Sequence, residues 1–170
     1  LVEKNSFLGG AAASTTIPSK TLRETSLTLS GIRARHLHGV DLTLKRQVTV
    51  KDFLYHERKV KSSERNRVKN NILRHNITVY HGKGSFVDKK IIKVKLSNGK
   101  TKLLKGDIIL IATGSSPRRP ENFPTDPHIY DSDTILQIER IPKKMVVVGG
   151  GVIGCEYACI FAELGVEVSL

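Results

Sequence analysis

The 170-residue chain contains no tryptophan and only two cysteines, Cys155 and Cys159. Two cysteines cannot build the multi-bridge framework that holds small secreted domains together. Four residues apart, with no further ligands at metal spacing, they supply no zinc site, and no metal is expected. They read as two small buried apolar side chains on one helix face. Their scarcity suits a reducing compartment, and the cytoplasm is the expected location. No apolar run approaches the length that spans a bilayer, and no secretory signal is visible. Aromatic residues make up 5% of the chain and do not interleave with basic ones, so the pattern of a nucleic-acid-binding face is missing. Acids are also scarce, 16 against 28 lysines and arginines, for a net charge of +12. The excess is spread out. Lys45 to Arg74 carries ten basic residues against three acids, and Lys83 to Lys105 carries eight lysines with Asp88 as the single acid. It reads as a solvated lysine-rich surface, and neither nucleic acid nor membrane is expected as a partner.

What the chain does have is Gly149-Gly150-Gly151-Val152-Ile153-Gly154. These residues follow Met145-Val146-Val147-Val148, an apolar run that reads as a buried parallel strand. They precede Cys155 to Leu164, which reads as a helix. In that frame a G-x-G-x-x-G is a dinucleotide fingerprint. Gly149 allows the tight turn, Gly151 lets the backbone approach a pyrophosphate, and Gly154 lets helix and strand pack closely. The pyrophosphate would sit on free N–H groups at the positive end of the helix. Val166 to Leu170 reads as the next strand of the same β-α-β unit.

Upstream, Leu1-Val2-Glu3-Lys4 reads as a strand end with an acidic tip, the place where a dinucleotide fold holds a ribose. Ile17-Pro18-Ser19-Lys20 opens a helix, with Pro18 in its first turn and Leu22 to Leu29 following. Gly31 to Arg46 is polar and reads as irregular. Thr49 to His75 reads as one long helix, with Phe53, Val60, Val68 and Ile72 on one stripe. Ile77 to Tyr80 is a short strand. Ile91 to Leu96 and Lys102 to Leu104 flank Asn98-Gly99, a hairpin signal. Asp107 to Ala112 is almost wholly apolar and reads as a buried central strand. Pro117, Pro120, Pro124 and Pro127 mark an extended connector.

A ribose-type glutamate, a buried strand ending in Ala112-Thr113-Gly114, and a second fingerprint come in an order that resembles the two-dinucleotide-fold flavoprotein disulfide reductase family. The resemblance covers nearly the whole chain. It implies an α/β fold: a Rossmann-like FAD-binding domain with a β-meander over residues 1–140, then the start of an inserted Rossmann NAD(P)-binding domain over residues 141–170. It implies FAD, NAD and NADP as cofactors. Glu3 and Lys4 match the ribose-binding strand end, and Gly10 and Thr16 match the segment before the flavin helix. Gly84, within Gly82-Lys83-Gly84-Ser85-Phe86, matches a strand near the adenine, and Ala112, Thr113 and Gly114 match a second FAD motif. Gly149, Gly151, Val152, Ile153 and Gly154 form the NAD(P) fingerprint. Lys20 matches a lysine beside the flavin and Glu156 the glutamate that pairs with it, which makes Lys20 and Glu156 the expected catalytic residues. A fixed cation beside a ring that gains negative charge lowers the cost of that charge.

One departure from the family decides the expected activity. Disulfide reductases carry a cysteine pair just before Ile-Pro-Ser-Lys. Here the segment is Gly9-Gly10-Ala11-Ala12-Ala13-Ser14-Thr15-Thr16, with Thr16 where the second cysteine would be. Without a thiolate, electrons have no path to a disulfide. Thr-Ile-Pro-Ser-Lys is the pattern of family members that pass hydride from NADPH to NAD through bound flavin. That is the expected function. A dihydrolipoamide dehydrogenase-like reductase is the alternative within the family. A non-catalytic flavin-binding or basic nucleic-acid-binding module is the alternative outside it. The order of motifs also implies the middle of a larger protein, with the first fingerprint upstream of Leu1. The residue that selects NAD or NADP, about 20 residues past the motif, would lie beyond Leu170. A homodimer or higher oligomer would form through a further C-terminal domain.

Overall fold

The computed structural model describes residues 1–10, 13, 16–34 and 49–170, with the backbone alone for residues 32–34. The chain forms two compact units, one of residues 1–13 and 62–115, the other of residues 14–61 and 116–170.

In the first unit, β1 (Val2–Glu3) runs parallel to β2 (Tyr80–Asp88), with Val2 opposite Tyr80 and Glu3 opposite His81. β2, β3 (Ile91–Leu96) and β4 (Thr101–Lys105) continue as an antiparallel meander in the order β1-β2-β3-β4. The β3–β4 turn sits at Asn98-Gly99. Gly99 has φ +81°, Leu96 N–H donates to Lys100 O at 2.8 Å, and Lys100 N–H donates to Asn98 Oδ1 at 3.1 Å. A bulge between Phe86 and Asp88 inserts Val87 into β2. Val94 is fully buried on one face of the meander, while Lys93 and Lys95 beside it are exposed on the other.

In the second unit, α1 (Ile17–Ala34) packs against α3 (Val152–Glu163), which joins the parallel strands β5 (Lys144–Val146) and β6 (Glu167–Ser169). The core is built on Leu22 of α1, Phe53 and Leu54 of α2 (Val50–Arg74), Leu136 of a short 3-10 helix (Ile135–Gln137), and Ile160 and Phe161 of α3. The Phe53 and Phe161 rings stand 6.3 Å apart, tilted by 60°, a favourable edge-to-face type of contact.

The helix ends explain the boundaries. Asp52 Oδ2 accepts from Thr49 N–H at 2.9 Å and from Thr49 Oγ1 at 2.6 Å, and Asp52 N–H returns to Thr49 Oγ1 at 3.3 Å. This reciprocal capping box fixes the start of α2. At its far end Asn76 takes φ +51°, Asn76 N–H donates to Leu73 O, and Ile77 N–H donates to Ile72 O. That is a Schellman cap. Gly165 closes α3 the same way, with Val166 N–H donating to Phe161 O at 3.1 Å.

Most expected elements are present, with six corrections. The strand expected at Ile77 to Tyr80 begins only at Tyr80, because Ile77 is spent on the α2 cap. Gly31–Ala34 belongs to α1 and is not irregular; the rest of the stretch to Arg46 lies outside the described residues. The last helix begins at Val152, three residues earlier than expected, and ends at Glu163. The run at Asp107 to Ala112 forms no strand, and Ile108 and Leu110 are 91% and 88% exposed. Likewise β5 has β6 as its strand neighbour, and Val146 and Val148 are 74% and 76% exposed where burial was expected. Continuous apolar runs of this kind need strands and helices on both sides, and no described element covers these. The two cysteines are not buried either: Cys155 is half-buried and Cys159 exposed. The inward face of α3 is taken by Tyr157, Ile160 and Phe161, and at 100° per residue Cys159 falls outside it.

Candidate functional site

The β5–α3 turn has the geometry that its glycines demand. Gly149 takes φ +112°, a conformation that side chains resist. A Cβ on Gly154 would stand 2.0 Å from Gly149 O and 3.2 Å from Gly149 C, so only glycine lets helix and turn come this close. At Gly150 and Gly151 a Cβ would meet nothing within 4 Å. Gly151 is the N-cap, in extended conformation with no side-chain cap. Among the described residues no side chain caps the first-turn N–H groups, which stand at the positive end of the helix. A pyrophosphate has both room and donors there, so the residues present fit a dinucleotide. The same fingerprint residues, with Arg119 and Tyr157, line a cleft of about 1150 Å³ within the second unit.

The α1–α3 contact brings together two residues 136 positions apart. Lys20 Nζ lies 2.5 Å from Glu156 Oε1. The Glu156 side chain is only 14% exposed and the Lys20 side chain 61%, so a half-sheltered carboxylate holds an ammonium that still faces open space. Ser19, absent from the sequence-derived site, completes the arrangement. It is buried, its hydroxyl donates to Thr16 O at 3.1 Å, and the same oxygen lies 3.4 Å from Glu156 Oε2. Thr16 thus joins the cluster through its carbonyl. A small hydroxyl in the first turn, next to a lysine, was the available signal.

Next to Glu156, Tyr157 is buried, and its hydroxyl has no hydrogen-bond partner among the described residues. Burial, then the negative charges of Glu156, Glu57 and Asp133, push its pKa up to about 12. In the connector, burial raises the Asp131 carboxyl, but hydrogen bonds from Thr134 and Asp133 and the Arg119 cation outweigh it and hold it below the usual carboxylate range. Arg119 Nη2 stands 3.3 Å from Asp131 Oδ2. The sequence reading singled out neither member of this clasp.

The remaining candidates lie in the first unit. Glu3 ends β1, and its Oε1 accepts Asn5 N–H at 2.9 Å. Gly84, on β2, has Val2 Cγ1 at 3.4 Å from where a Cβ would be, so the ribose-type strand end and the expected adenine strand are neighbours. Lys4 follows Glu3 and is exposed. Gly10 takes φ +50°. Ala112, Thr113 and Gly114 are exposed, with Gly114 at φ +70°. Ala11, Ala12, Ser14 and Thr15, in the segment where a cysteine pair was sought, lie outside the described residues.

Residues 7–170 match the family described as pyridine nucleotide-disulphide oxidoreductase. A curated protein named soluble pyridine nucleotide transhydrogenase, from Mycobacterium bovis, is 41% identical over all of this chain and 37% of its own length. Proteins of the same name from Pseudomonas fluorescens and Yersinia enterocolitica are 39% and 37% identical, over 91% and 98% of this chain. The chain therefore spans about a third of the length of these relatives. Among solved structures, LpdA from Mycobacterium tuberculosis superposes with a TM-score of 0.83 at 25% identity, over 96% of this chain and 36% of the other. The flavoprotein disulfide reductase RclA from Escherichia coli superposes at 0.78 and 25%, over 99% and 35%. The expected α/β fold class is borne out. Among the described residues, no helix is long and apolar enough to cross a membrane.

Proposed function

The chain belongs to the pyridine nucleotide-disulphide oxidoreductase family, and on that premise we propose that it forms part of an FAD-dependent oxidoreductase that passes hydride between NADPH and NAD. When bound, the flavin supplies the redox chemistry, taking a hydride equivalent from one nicotinamide and yielding it to the other. The observation that carries this reading is the placing of the thiols. The sequence has two cysteines, both on α3, and Thr16 precedes Ile17-Pro18-Ser19-Lys20. With no thiolate on the α1 side, a disulfide has no entry to the site, and a second nicotinamide is the remaining acceptor of that class.

The roles of the chain's own groups follow. Lys20 provides a fixed positive charge beside the ring that becomes negative. Glu156 holds that ammonium in place, and Ser19 steadies Glu156. Gly149, Gly151, Val152, Ile153 and Gly154 bind the nicotinamide dinucleotide through backbone N–H groups. Glu3, Lys4, Gly10, Thr16, Gly84 and Ala112-Thr113-Gly114 hold FAD. Residues 1–140 serve the flavin, and residues 141–170 begin the NAD(P) part. The protein works as a homodimer or higher oligomer in the cytoplasm.

The test uses protein expressed from the complete reading frame and checked for bound flavin. NADPH should reduce a spectrally distinct NAD analogue through many turnovers with no thiol or disulfide present. Flavin that is bound and reducible without such turnover, or sustained turnover with lipoamide instead, would overturn the reading. A second result checks the fingerprint. Gly154→Ala forces a methyl against Gly149 O, and overpacking of this kind costs about 1–3 kcal/mol. The variant should keep its flavin but show at least a roughly tenfold higher KM for both nicotinamide nucleotides, since backbone donors displaced from a charged ligand lose about 1.5–3 kcal/mol each. Unchanged KM values would remove Gly154 from the binding site.

A further inference from the structure

The register of the meander turns a diffuse basic composition into a defined face. Lys83 stands directly opposite Lys95, and Ser85 opposite Lys93, across the β2–β3 ladder. Across β3–β4, Lys93 faces Leu103, Lys95 faces Thr101, and Ile91 faces Lys105. Because side chains alternate along a strand, Lys83, Lys93, Lys95 and Lys105 share one face of a three-stranded sheet. Val94, Gly84 and Lys102 share the other. All four lysines of the first face are exposed, and among the described residues none is paired with an acid. Lys102, on the opposite face, is by contrast occupied: its Nζ donates to Tyr80 Oη at 3.3 Å and lies 4.6 Å from the ring centre.

Like charges directly opposite each other destabilise a sheet, so the Lys83–Lys95 pair is unfavourable while the face is bare. The turn between β2 and β3 adds Lys89 and Lys90, and next to them Phe86 and Val87 are 53% and 57% exposed. Leu103 is also exposed, amid the lysines. We propose that this lysine face and its β2–β3 tip form a docking surface for a bilayer containing anionic phospholipid.

Residue types select that partner. The segment from Lys83 to Lys105 holds eight lysines and no arginine. Protein interfaces are enriched in arginine and depleted in lysine, and phosphate groups of nucleic acids are gripped by the forked guanidinium. No aromatic ring on the lysine face offers a stacking platform for bases. Lysines as unforked point charges, next to exposed apolar side chains that can enter an interface, fit a diffuse anionic surface. The sequence alone read these lysines as solvated surface. The strand register gathers them on one side, which they share with two acids, Glu3 opposite His81 and Asp88 opposite Ile91.

The test is co-sedimentation of flavin-loaded protein, expressed from the complete reading frame, with vesicles of phosphatidylcholine alone or mixed with phosphatidylglycerol. Binding is expected to the mixed vesicles only, and to weaken as salt rises. Each lysine near an anionic leaflet is worth roughly fivefold in partitioning. The double variant Lys93→Glu with Lys95→Glu should therefore lose at least roughly tenfold. An α2 variant of equal net charge, Lys59→Glu with Lys69→Glu, should lose less than about twofold. Flavin content and transhydrogenation by both variants should match the parent, which shows that both are folded. Equal binding to both vesicle types, equal loss in both variants, or tighter binding to duplex DNA or polyglutamate than to mixed vesicles would each overturn the proposal.

Discussion

Replacing Lys20 by methionine should slow hydride transfer by about 10²-fold while leaving flavin bound. The ammonium is the only charge that Glu156 meets within hydrogen-bond reach among the described residues, at 2.5 Å. Glu156 in turn is fixed from two sides, by Lys20 and by Ser19. A cation held in this way needs no reorganisation at the moment when charge develops, and removing one such preorganised group costs about 10²–10³ in rate. The lower figure applies because the lysine is well exposed and water partly screens it. Glu156→Gln, which keeps the shape and drops the charge, should give a smaller loss of roughly tenfold, because the lysine survives but is no longer pinned. Stopped-flow reduction of the bound flavin by NADPH separates these effects from binding. If the Lys20→Met protein reduces its flavin at the parental rate, the electrostatic role is wrong.

Phe161→Ala should cost about 3–5 kcal/mol. The ring is 1% exposed, packs on Phe53, and sits in the cluster that joins α1, α2, α3 and the short 3-10 helix. A loss of that size lowers the melting temperature by roughly 20 °C for a unit of this length. Cys159→Ala, two residues earlier on the same helix and exposed, should move it by less than about 4 °C, since surface changes of this kind stay within about 0.5 kcal/mol. Differential scanning calorimetry on the two variants checks the pair, and similar values for both would mean that α3 does not present the inward face described.

The contrast between Phe161 and Cys159 shows where the sequence was readable. Local rules carried far. The glycine spacing at 149–154, the Asn98-Gly99 turn and the long α2 stripe all encode backbone geometry within a few residues, and the structure has them. Contacts between distant segments were not readable from spacing. The pairing of Lys20 with Glu156 came through family resemblance, not periodicity. Ser19 was passed over because a serine in a helix's first turn is ordinary until Glu156 is known to face it. The Arg119–Asp131 clasp is hidden for the same reason. The runs at Asp107–Ala112 and Met145–Val148 show a different gap. An apolar run states how much cover a strand requires, and it does not state which segments provide that cover. Cysteine type misled in a third way, since a generally buried residue lands outside when its place in the helical turn points outward.

The unit that contains α1 and α3 is discontinuous in the chain, because residues 62–115 belong to the other unit and intervene. The bond between Lys20 and Glu156 spans 136 residues. During synthesis at about 5–20 residues per second, α1 leaves the ribosome on the order of ten seconds before its partner helix exists. For that interval Leu22 has no α3 to pack on, whereas the β2–β4 meander can close locally and at once. The order of assembly is therefore built into the connectivity: the meander first, the dinucleotide turn last. The α1 surface that receives α3 thus stays without its partner while the whole of residues 62–115 is being made.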